Sequence, residues 1–133
     1  MELVTIGTVE SALKDRADAP KQGDEGAPEA WLVFALGMIE GLEGIAPGDE
    51  LLLLTWLDRA HRHVLRVRPR GSATAPHQGV FSTRSPDRPN PIGLHRVTVL
   101  EVDGVRLRVD RLEALDGTPI IDVKPLLRSV EER

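Results

Sequence analysis

Arginine side chains in a proline-rich segment are the first candidates for chemistry in this sequence. The segment, residues 79–94, reads GVFSTRSPDRPNPIGL and has three prolines within six residues. A residue that precedes proline is disfavoured from the helical region, so we predict a stiff, extended loop that is not helical. In such a loop Arg84 and Arg88 stand about 12 Å apart and meet different anionic groups. The alternatives are a rigid connector or a P-x-x-P ligand for another domain.

The second candidate is a carboxylate and an ammonium group two residues apart, Asp122 and Lys124, in LDGTPIIDVKP (residues 115–125). We predict a strand over residues 119–123, in which the period of two places Ile120 and both charged residues on one face. The pair could hold a substrate amine, or the carboxylate could act as a base. The alternative is a strand-end ion pair of little energy.

Length and composition limit the class of protein. With 133 residues, 41% of them hydrophobic, the chain has room for one domain of ordinary soluble composition. No apolar run approaches the roughly 20 residues that span a bilayer, and no leader follows Met1, so we expect a cytoplasmic protein. The absence of cysteine excludes disulfides and thiolate zinc sites. His61 and His63 share a strand face without a third ligand nearby, so no metal is expected.

Charge is segregated along the chain, although the formal net charge is only -4. Residues 1–58 contain 12 acids and 3 bases, whereas residues 59–86 contain six arginines and no acid. The sequence contains two tryptophans, two phenylalanines and no tyrosine, so side chains for base stacking are scarce. Any contact with RNA is therefore expected to depend on arginine.

Apolar alternation and frequent turns favour an all-β fold, a small single-sheet β-barrel of about seven short, mainly antiparallel strands. Asp103 and Gly104 between β-branched runs predict a primed two-residue hairpin turn. Residues 14–29 are interpreted as a mobile loop, and residues 29–42 could alternatively form a helix. The nearly all-apolar run over residues 50–57 is typical of a strand covered on both faces. The other predicted strands cover residues 3–9, 31–38, 63–67, 97–102, 105–109 and 119–123.

Both segments, in this order, resemble the signatures of the TsaA-like or TrmO family, and the opening IGTV at residues 6–9 resembles the family's first strand. The resemblance extends over nearly the whole chain, as a single domain of residues 1–133. It implies a small β-barrel, usually a homodimer, that transfers a methyl group from S-adenosylmethionine without a metal. The implied acceptor is N6 of threonylcarbamoyl-adenosine at position 37, in the anticodon loop of tRNA.

The resemblance also implies roles for individual residues. Arg84 would meet the methionine carboxylate or a ribose hydroxyl through its fork of donors, and Leu94 would pack against the adenine. Asp122 and Lys124 are the candidates for removing the proton and positioning the substrate. The implied cofactor-binding set is Arg84, Leu94, Lys21, Gln22, Leu112, Glu113, Asp116, Gly117 and Thr118. The candidate substrate-binding residues are Arg88, Asn90, Arg62 and Arg66.

The sequence departs from the family pattern at three places. Lysine replaces arginine in the triplet at residues 20–22, which keeps the charge of Lys21 but loses bidentate geometry. Residues 47–50, PGDE, stand where the family has a Ser-His pair. Larger bacterial members have a further C-terminal domain, so we expect the barrel or a partner subunit to hold the tRNA. The arginines available for phosphate contacts are Arg59, Arg62, Arg66, Arg68 and Arg70, although an ordinary solvated strand face is the alternative.

Two other functions remain open at this point. The acidic N-terminal third and the few aromatic residues are compatible with a methyltransferase that uses S-adenosylmethionine on a small molecule. The changes at Lys21 and Asp49 are compatible with a non-catalytic binding module that has lost the cofactor. Salt-dependent tRNA binding would argue against the first alternative, and cofactor binding would argue against the second.

Overall fold

Alternating apolar residues form the strands of a closed antiparallel barrel. The computed structural model describes residues 1–15, 27–68 and 74–127. The barrel order is β1-β2-β7-β6-β3-β8, and β8 pairs back with β1 to close it. A separate two-stranded ribbon is formed by β4 and β5. The strands are β1 (Gly7–Glu10), β2 (Ala30–Phe34), β3 (Glu50–Trp56), β4 (Arg66–Val67), β5 (Gln78–Gly79), β6 (Ile92–Asp103), β7 (Arg106–Val109) and β8 (Pro119–Pro125).

The all-β prediction is confirmed, with corrections to its details. The ribbon makes a second sheet, so the described residues do not form a single sheet. The strand predicted over residues 31–38 ends at Phe34, and a 3₁₀ helix, Leu36–Leu42, follows it. Of the strand predicted over residues 63–67, only Arg66–Val67 forms. Most of the predicted loop at residues 14–29 lies outside the described residues. None of the helices that the structure describes is long and apolar enough to cross a membrane.

Inward-facing side chains from all six barrel strands form the core. Burial alternates along β7, where Leu107 and Val109 are fully buried but Arg106 and Arg108 are not. This is the alternation expected of a sheet with one covered face. The buried apolar cluster contains Val9, Ala30, Leu32, Phe34, Leu51, Leu53, Val97, Val99, Leu107, Val109, Leu112, Ala114 and Ile120.

The predicted hairpin joins β6 to β7, but its turn lies one residue later than predicted. Asp103 pairs with Arg106, which leaves Gly104 and Val105 as the two turn residues. Gly104 has φ of +60°, a conformation that glycine adopts at little steric cost. Glycine at the first central position is what a type II′ turn requires.

The strand β3 is covered on one face only, contrary to the prediction. Leu51, Leu53 and Thr55 are buried inside the barrel, whereas Leu52 and Leu54 lie on its outer face and are half-buried. Leu54 pairs with Leu94, which is 46% exposed. The chain therefore has an apolar patch on the outside of the barrel, and the outer-facing residues of β3 and β6 that form it are Leu52, Leu54, Trp56, Ile92 and Leu94.

The antiparallel order brings the loops that contain the sequence motifs to one end of the barrel. The strands β1, β3 and β7 end there, and β2, β6 and β8 begin there. The connections at this end are residues 11–29, 57–91 and 110–118. We call it the motif end. The 3₁₀ helix after β2 and the β6–β7 hairpin lie at the opposite end.

Candidate functional site

Asp116 ties the loops of the motif end together. Its Oδ1 accepts a hydrogen bond from the Ser11 N–H at 2.9 Å, and its Oδ2 lies 2.9 Å from Lys14 Nζ. The Ser11 N–H, followed by the Lys14 ammonium, lowers the pKa of Asp116 below its usual value. Arg59 donates to the carbonyl oxygen of Lys14 at 2.5 Å. The Asp116 carboxylate is therefore an ionised acceptor that already has two partners.

Most of the other groups in residues 112–118 are bonded within the barrel. Leu112 is fully buried in the core, and its N–H donates to a backbone carbonyl. Thr118 is buried, and its hydroxyl donates to the Leu115 carbonyl at 2.7 Å. The N–H of Gly117 also bonds to a backbone carbonyl. Glu113 is the other acidic residue of this stretch, and its side chain is 21% exposed.

The proline-rich segment is curled instead of extended. A short 3₁₀ helix, Val80–Ser82, follows β5, so part of the segment is helical after all. The Arg88 guanidinium donates back to the carbonyl oxygens of Val80 and Thr83, the latter at 2.9 Å. Arg88, which was predicted to bind substrate, therefore closes its own loop. The spacing of about 12 Å assumed an extended chain and does not apply.

Arg62 and Asn90, both in the predicted substrate-binding set, contact each other. Arg62 donates to the Asn90 side-chain oxygen at 3.1 Å and to the Pro89 carbonyl at 2.7 Å. Its guanidinium carbon lies 5.0 Å from the centre of the Trp56 ring, within the range of a cation–π contact. These contacts fix the turn after β3 against the proline-rich loop.

Two arginines remain available for a ligand. Arg84 and Arg66 are exposed, and neither side chain has a hydrogen bond or ion pair with the residues that the structure describes. Arg68 donates to the Ala75 carbonyl, so part of its hydrogen-bonding capacity is used within the chain. Arg70, like the predicted cofactor-binding residues Lys21 and Gln22, lies outside the described residues.

Asp122 and Lys124 lie on the outer face of the barrel, and a bulge in β8 separates them from Ile120. Thr55 pairs with Ile120 but Leu54 pairs with Asp122, so one extra residue of β8 interrupts the alternation. Ile120 consequently faces the core, and the prediction that it shares a face with the charged pair is wrong. Lys124 Nζ lies 3.3 Å from Asp122 Oδ2.

The predicted residues fall into two groups. Leu94, Leu54 and Asp122 are opposite one another on three adjacent strands, so Leu94 and Asp122 stand about 10 Å apart on the outer face. Lys124 lies beside Asp122 on β8, and the other predicted residues that the structure describes lie in the connections of the motif end. A cleft of about 280 Å³ lies at that end, lined by Glu10, Ser11, Ala12, Glu29, Ala30, Trp31 and Arg108. A larger cleft of about 870 Å³ lies at the opposite end of the barrel, and neither cleft is lined by a predicted site residue.

Sequence reasoning missed a buried polar pair beside Glu113. His95 Nδ1 lies 2.6 Å from Glu113 Oε1, and His95 Nε2 lies 2.7 Å from Thr55 Oγ1. The sequence signal for this pair was Thr55, a polar residue that follows four leucines in β3. Among the residues described, no group of three or more acidic or histidine side chains is placed to hold a metal ion.

Comparison with known families decides the family. The model of the tRNA-methyltransferase O N-terminal domain, TrmO_N, matches residues 8–132. The chain belongs to this family. A protein of Methanothermobacter thermautotrophicus named a probable S-adenosyl-L-methionine-binding protein is 43% identical over 126 residues, 95% of this chain and 90% of that one. An S-adenosyl-L-methionine-binding protein of Archaeoglobus fulgidus is 44% identical over 124 residues, 93% of this chain and 88% of that one.

Solved structures show the same TrmO fold. The crystal structure of TrmO from Pseudomonas aeruginosa has a TM-score of 0.76 and 27% identity, over 96% of this chain and 56% of that one. A second TrmO crystal structure has a TM-score of 0.75 and 30% identity, over 96% of this chain and 57% of that one. The chain thus spans little more than half the length of these TrmO proteins. These matches confirm the fold and the family that the two sequence signatures predict.

Proposed function

We propose that this member of the TrmO N-terminal domain family transfers a methyl group from S-adenosylmethionine to N6 of threonylcarbamoyl-adenosine at position 37 of tRNA. The observation that most supports a transfer site is the outer-face row, in which Asp122 lies two strands from Leu94 and is paired with Lys124. The names of the relatives support the cofactor, and the family name supports the tRNA substrate.

The described side chains fit the chemical groups of S-adenosylmethionine. Arg84 offers an exposed guanidinium for the methionine carboxylate, and Leu94 offers an exposed apolar surface for the adenine. Glu113 offers an acceptor for ribose hydroxyls, while Leu112, Gly117 and Thr118 shape the loop that holds it. When bound, this cofactor supplies an electrophilic methyl group.

Asp122 takes the proton of the acceptor amine in this proposal. A carboxylate of this kind can accept a proton from a nitrogen that is becoming cationic. Lys124, 3.3 Å away, holds the carboxylate in place and positions the substrate. Arg62 and Asn90 shape the loop beneath the tRNA, and Arg66 is free to contact a phosphate.

Calorimetric titration of two arginine variants tests this assignment. We expect Arg84→Ala to weaken S-adenosylmethionine binding about tenfold, because a charged hydrogen bond to the carboxylate is lost. Arg66→Ala should leave cofactor affinity unchanged, weaken tRNA binding and lower the salt slope of that binding by about one contact. Each variant serves as the control for the other.

The same titrations distinguish the alternatives. Folded wild-type protein that binds no S-adenosylmethionine would contradict the methyltransferase and leave a binding module. Cofactor binding together with tRNA affinity that does not respond to salt would favour a small-molecule acceptor. Equal cofactor affinity of Arg84→Ala and wild type would remove Arg84 from the site.

We also infer that the protein is a homodimer that covers the apolar patch on β3 and β6. Ile92 is 43% exposed and Leu94 is 46% exposed, on a strand pair whose outer face is apolar. Burying such a surface against a second copy removes apolar area from water. In this proposal Leu94 lies at the edge of the interface, where its side chain can still pack against the adenine, so each cofactor site is close to the second subunit.

Sedimentation velocity tests the homodimer. We expect Ile92→Glu to convert the protein to a monomer, because an unpaired charge buried at an interface is unfavourable. Leu36→Glu is the matched control, since Leu36 is 81% exposed at the opposite end of the barrel and should leave the dimer intact. A wild-type monomer at micromolar concentration, or a dimeric Ile92→Glu variant, would contradict this interface.

A further inference from the structure

A chain of hydrogen bonds runs from the barrel core to the rim of the motif end. The His95 side chain is 4% exposed and projects inward from β6. Its Nε2 lies 2.7 Å from Oγ1 of the fully buried Thr55, and its Nδ1 lies 2.6 Å from Oε1 of Glu113. Because Glu113 is 21% exposed, the chain ends at a carboxylate that solvent can reach.

The space for these hydrogen-bonded side chains depends on a glycine, Gly93. A Cβ atom at Gly93 would lie 2.4 Å from Thr55 Oγ1 and 2.7 Å from His95 Nε2. Gly93 is also buried, so no larger residue fits beside the imidazole without displacing it. A buried imidazole is costly unless its nitrogens are bonded, and here both nitrogens have partners. The ring orientation is therefore fixed.

The donor at the Glu113 end follows from chemistry. An ionised carboxylate can only accept, so Nδ1–H of His95 donates to Oε1 of Glu113. On a neutral ring, Nε2 then accepts from the Thr55 hydroxyl; on a protonated ring it donates to that oxygen. The bond to Glu113 is the same in both states.

One oxygen of the Glu113 carboxylate is left for a ligand. Within the part of the chain that the structure describes, Oε2 has no hydrogen-bond partner. A carboxylate held through one oxygen and free at the other is a preorganised acceptor, since it does not lose rotamer freedom when a donor arrives. Vicinal hydroxyls are a good match for such an acceptor, as in the recognition of nucleoside ribose by acidic side chains.

We propose that His95 is a positioning residue, which orients the Glu113 carboxylate to accept a hydrogen bond from the ribose of S-adenosylmethionine. The inference rests on the proposed cofactor site, because it assigns a contact within that site. Its basis is the geometry of the buried chain, in which His95 is the side chain that joins Glu113 to the core.

Two substitutions of His95 separate the bonds that its ring makes. The amide nitrogen of His95→Asn lies near the position of Nδ1 and can still donate to Glu113. The amide of His95→Gln reaches the position of Nε2 and keeps the Thr55 contact instead. We expect His95→Gln to weaken S-adenosylhomocysteine binding about tenfold and His95→Asn to retain affinity within about threefold. Glu113→Gln should lose as much affinity as His95→Gln.

Two controls separate positioning from stability. Val97→Ala removes core packing on the same strand and should lower the thermal midpoint while leaving affinity unchanged. The 2′-deoxy analogue of S-adenosylhomocysteine lacks one ribose hydroxyl, so we expect wild type and His95→Gln to bind it with nearly equal affinity. This loss of difference is a result that a purely structural role of His95 would not produce.

The outcomes have separate meanings. Equal loss of affinity in His95→Asn and His95→Gln, in proportion to the fall in thermal midpoint, would overturn the positioning role and leave the proposed function intact. Full affinity of Glu113→Gln would overturn it also, even if neither His95 variant folds. Wild type that binds neither S-adenosylmethionine nor its demethylated product would overturn the proposed function itself.

Discussion

Replacing Gly7 by alanine is expected to destabilise the barrel by about 3 kcal/mol, a large part of the stability of a domain this size. A Cβ atom at Gly7 would lie 2.6 Å from the Val33 carbonyl oxygen and 2.9 Å from Phe34 Cα. Both are backbone atoms of β2, so no side-chain rotation relieves the overlap. Moving β1 away from β2 would disturb the pairing of Gly7 with Ile120, through which β1 also closes the barrel against β8.

Urea denaturation of Gly7→Ala and Gly79→Ala measures this effect against a matched control. Gly79 also lies in a strand, but its φ is -63° and nothing lies within 4 Å of an added Cβ. Alanine there should leave the free energy of unfolding unchanged or raise it slightly, by restricting the unfolded chain. Similar denaturation midpoints for the two variants would show that β1 can shift without cost.

The strands β3 and β7 could be predicted because local sequence patterns determine them. The alternation in β7 and the turn at Gly104 are both local features, and they predicted the hairpin to within one residue. The apolar run of β3 also predicted the strand itself. It could not show that only one face is covered within a single chain, since that depends on how the barrel closes.

The first half of β6 was missed because its hydropathy is reversed. Ile92 and Leu94 face outward, whereas Gly93 and His95 face the core. Apolar periodicity predicts that the larger apolar residues face the core, and the preceding prolines favour a loop. The buried contact of His95 with Glu113 connects distant parts of the sequence, so only the folded chain shows it.

The bulge in β8 could not be predicted for a related reason. A strict period of two places Ile120 and Asp122 on one face, and only the pairing with β3 reveals the extra residue. The charged pair itself was recognised correctly, and its ion pair is present at 3.3 Å. The bulge turns Asp122 out of the barrel, and that orientation allows a ligand to reach it.

Asp122→Asn is the substitution with the largest expected effect on catalysis. Removing a general base typically costs 10² to 10⁴ in rate, so we expect kcat for methyl transfer to threonylcarbamoylated tRNA to fall at least about 100-fold. Asparagine keeps an oxygen that can accept the Val123 N–H, which now bonds to Asp122 Oδ1 at 2.9 Å. The lost ion pair is exposed and contributes little to stability, so the fold should be preserved.

Initial rates with labelled S-adenosylmethionine, combined with calorimetry, distinguish a base from a binding residue. If Asp122 acts on the proton, kcat falls while cofactor affinity stays within about threefold of wild type, because the lost interaction belongs to the transition state. Asp103→Asn removes an exposed carboxylate from the hairpin at the opposite end of the barrel and should leave both values unchanged. A kcat for Asp122→Asn close to that of Asp103→Asn would assign the proton to another group, and the outer-face row would then serve only to bind.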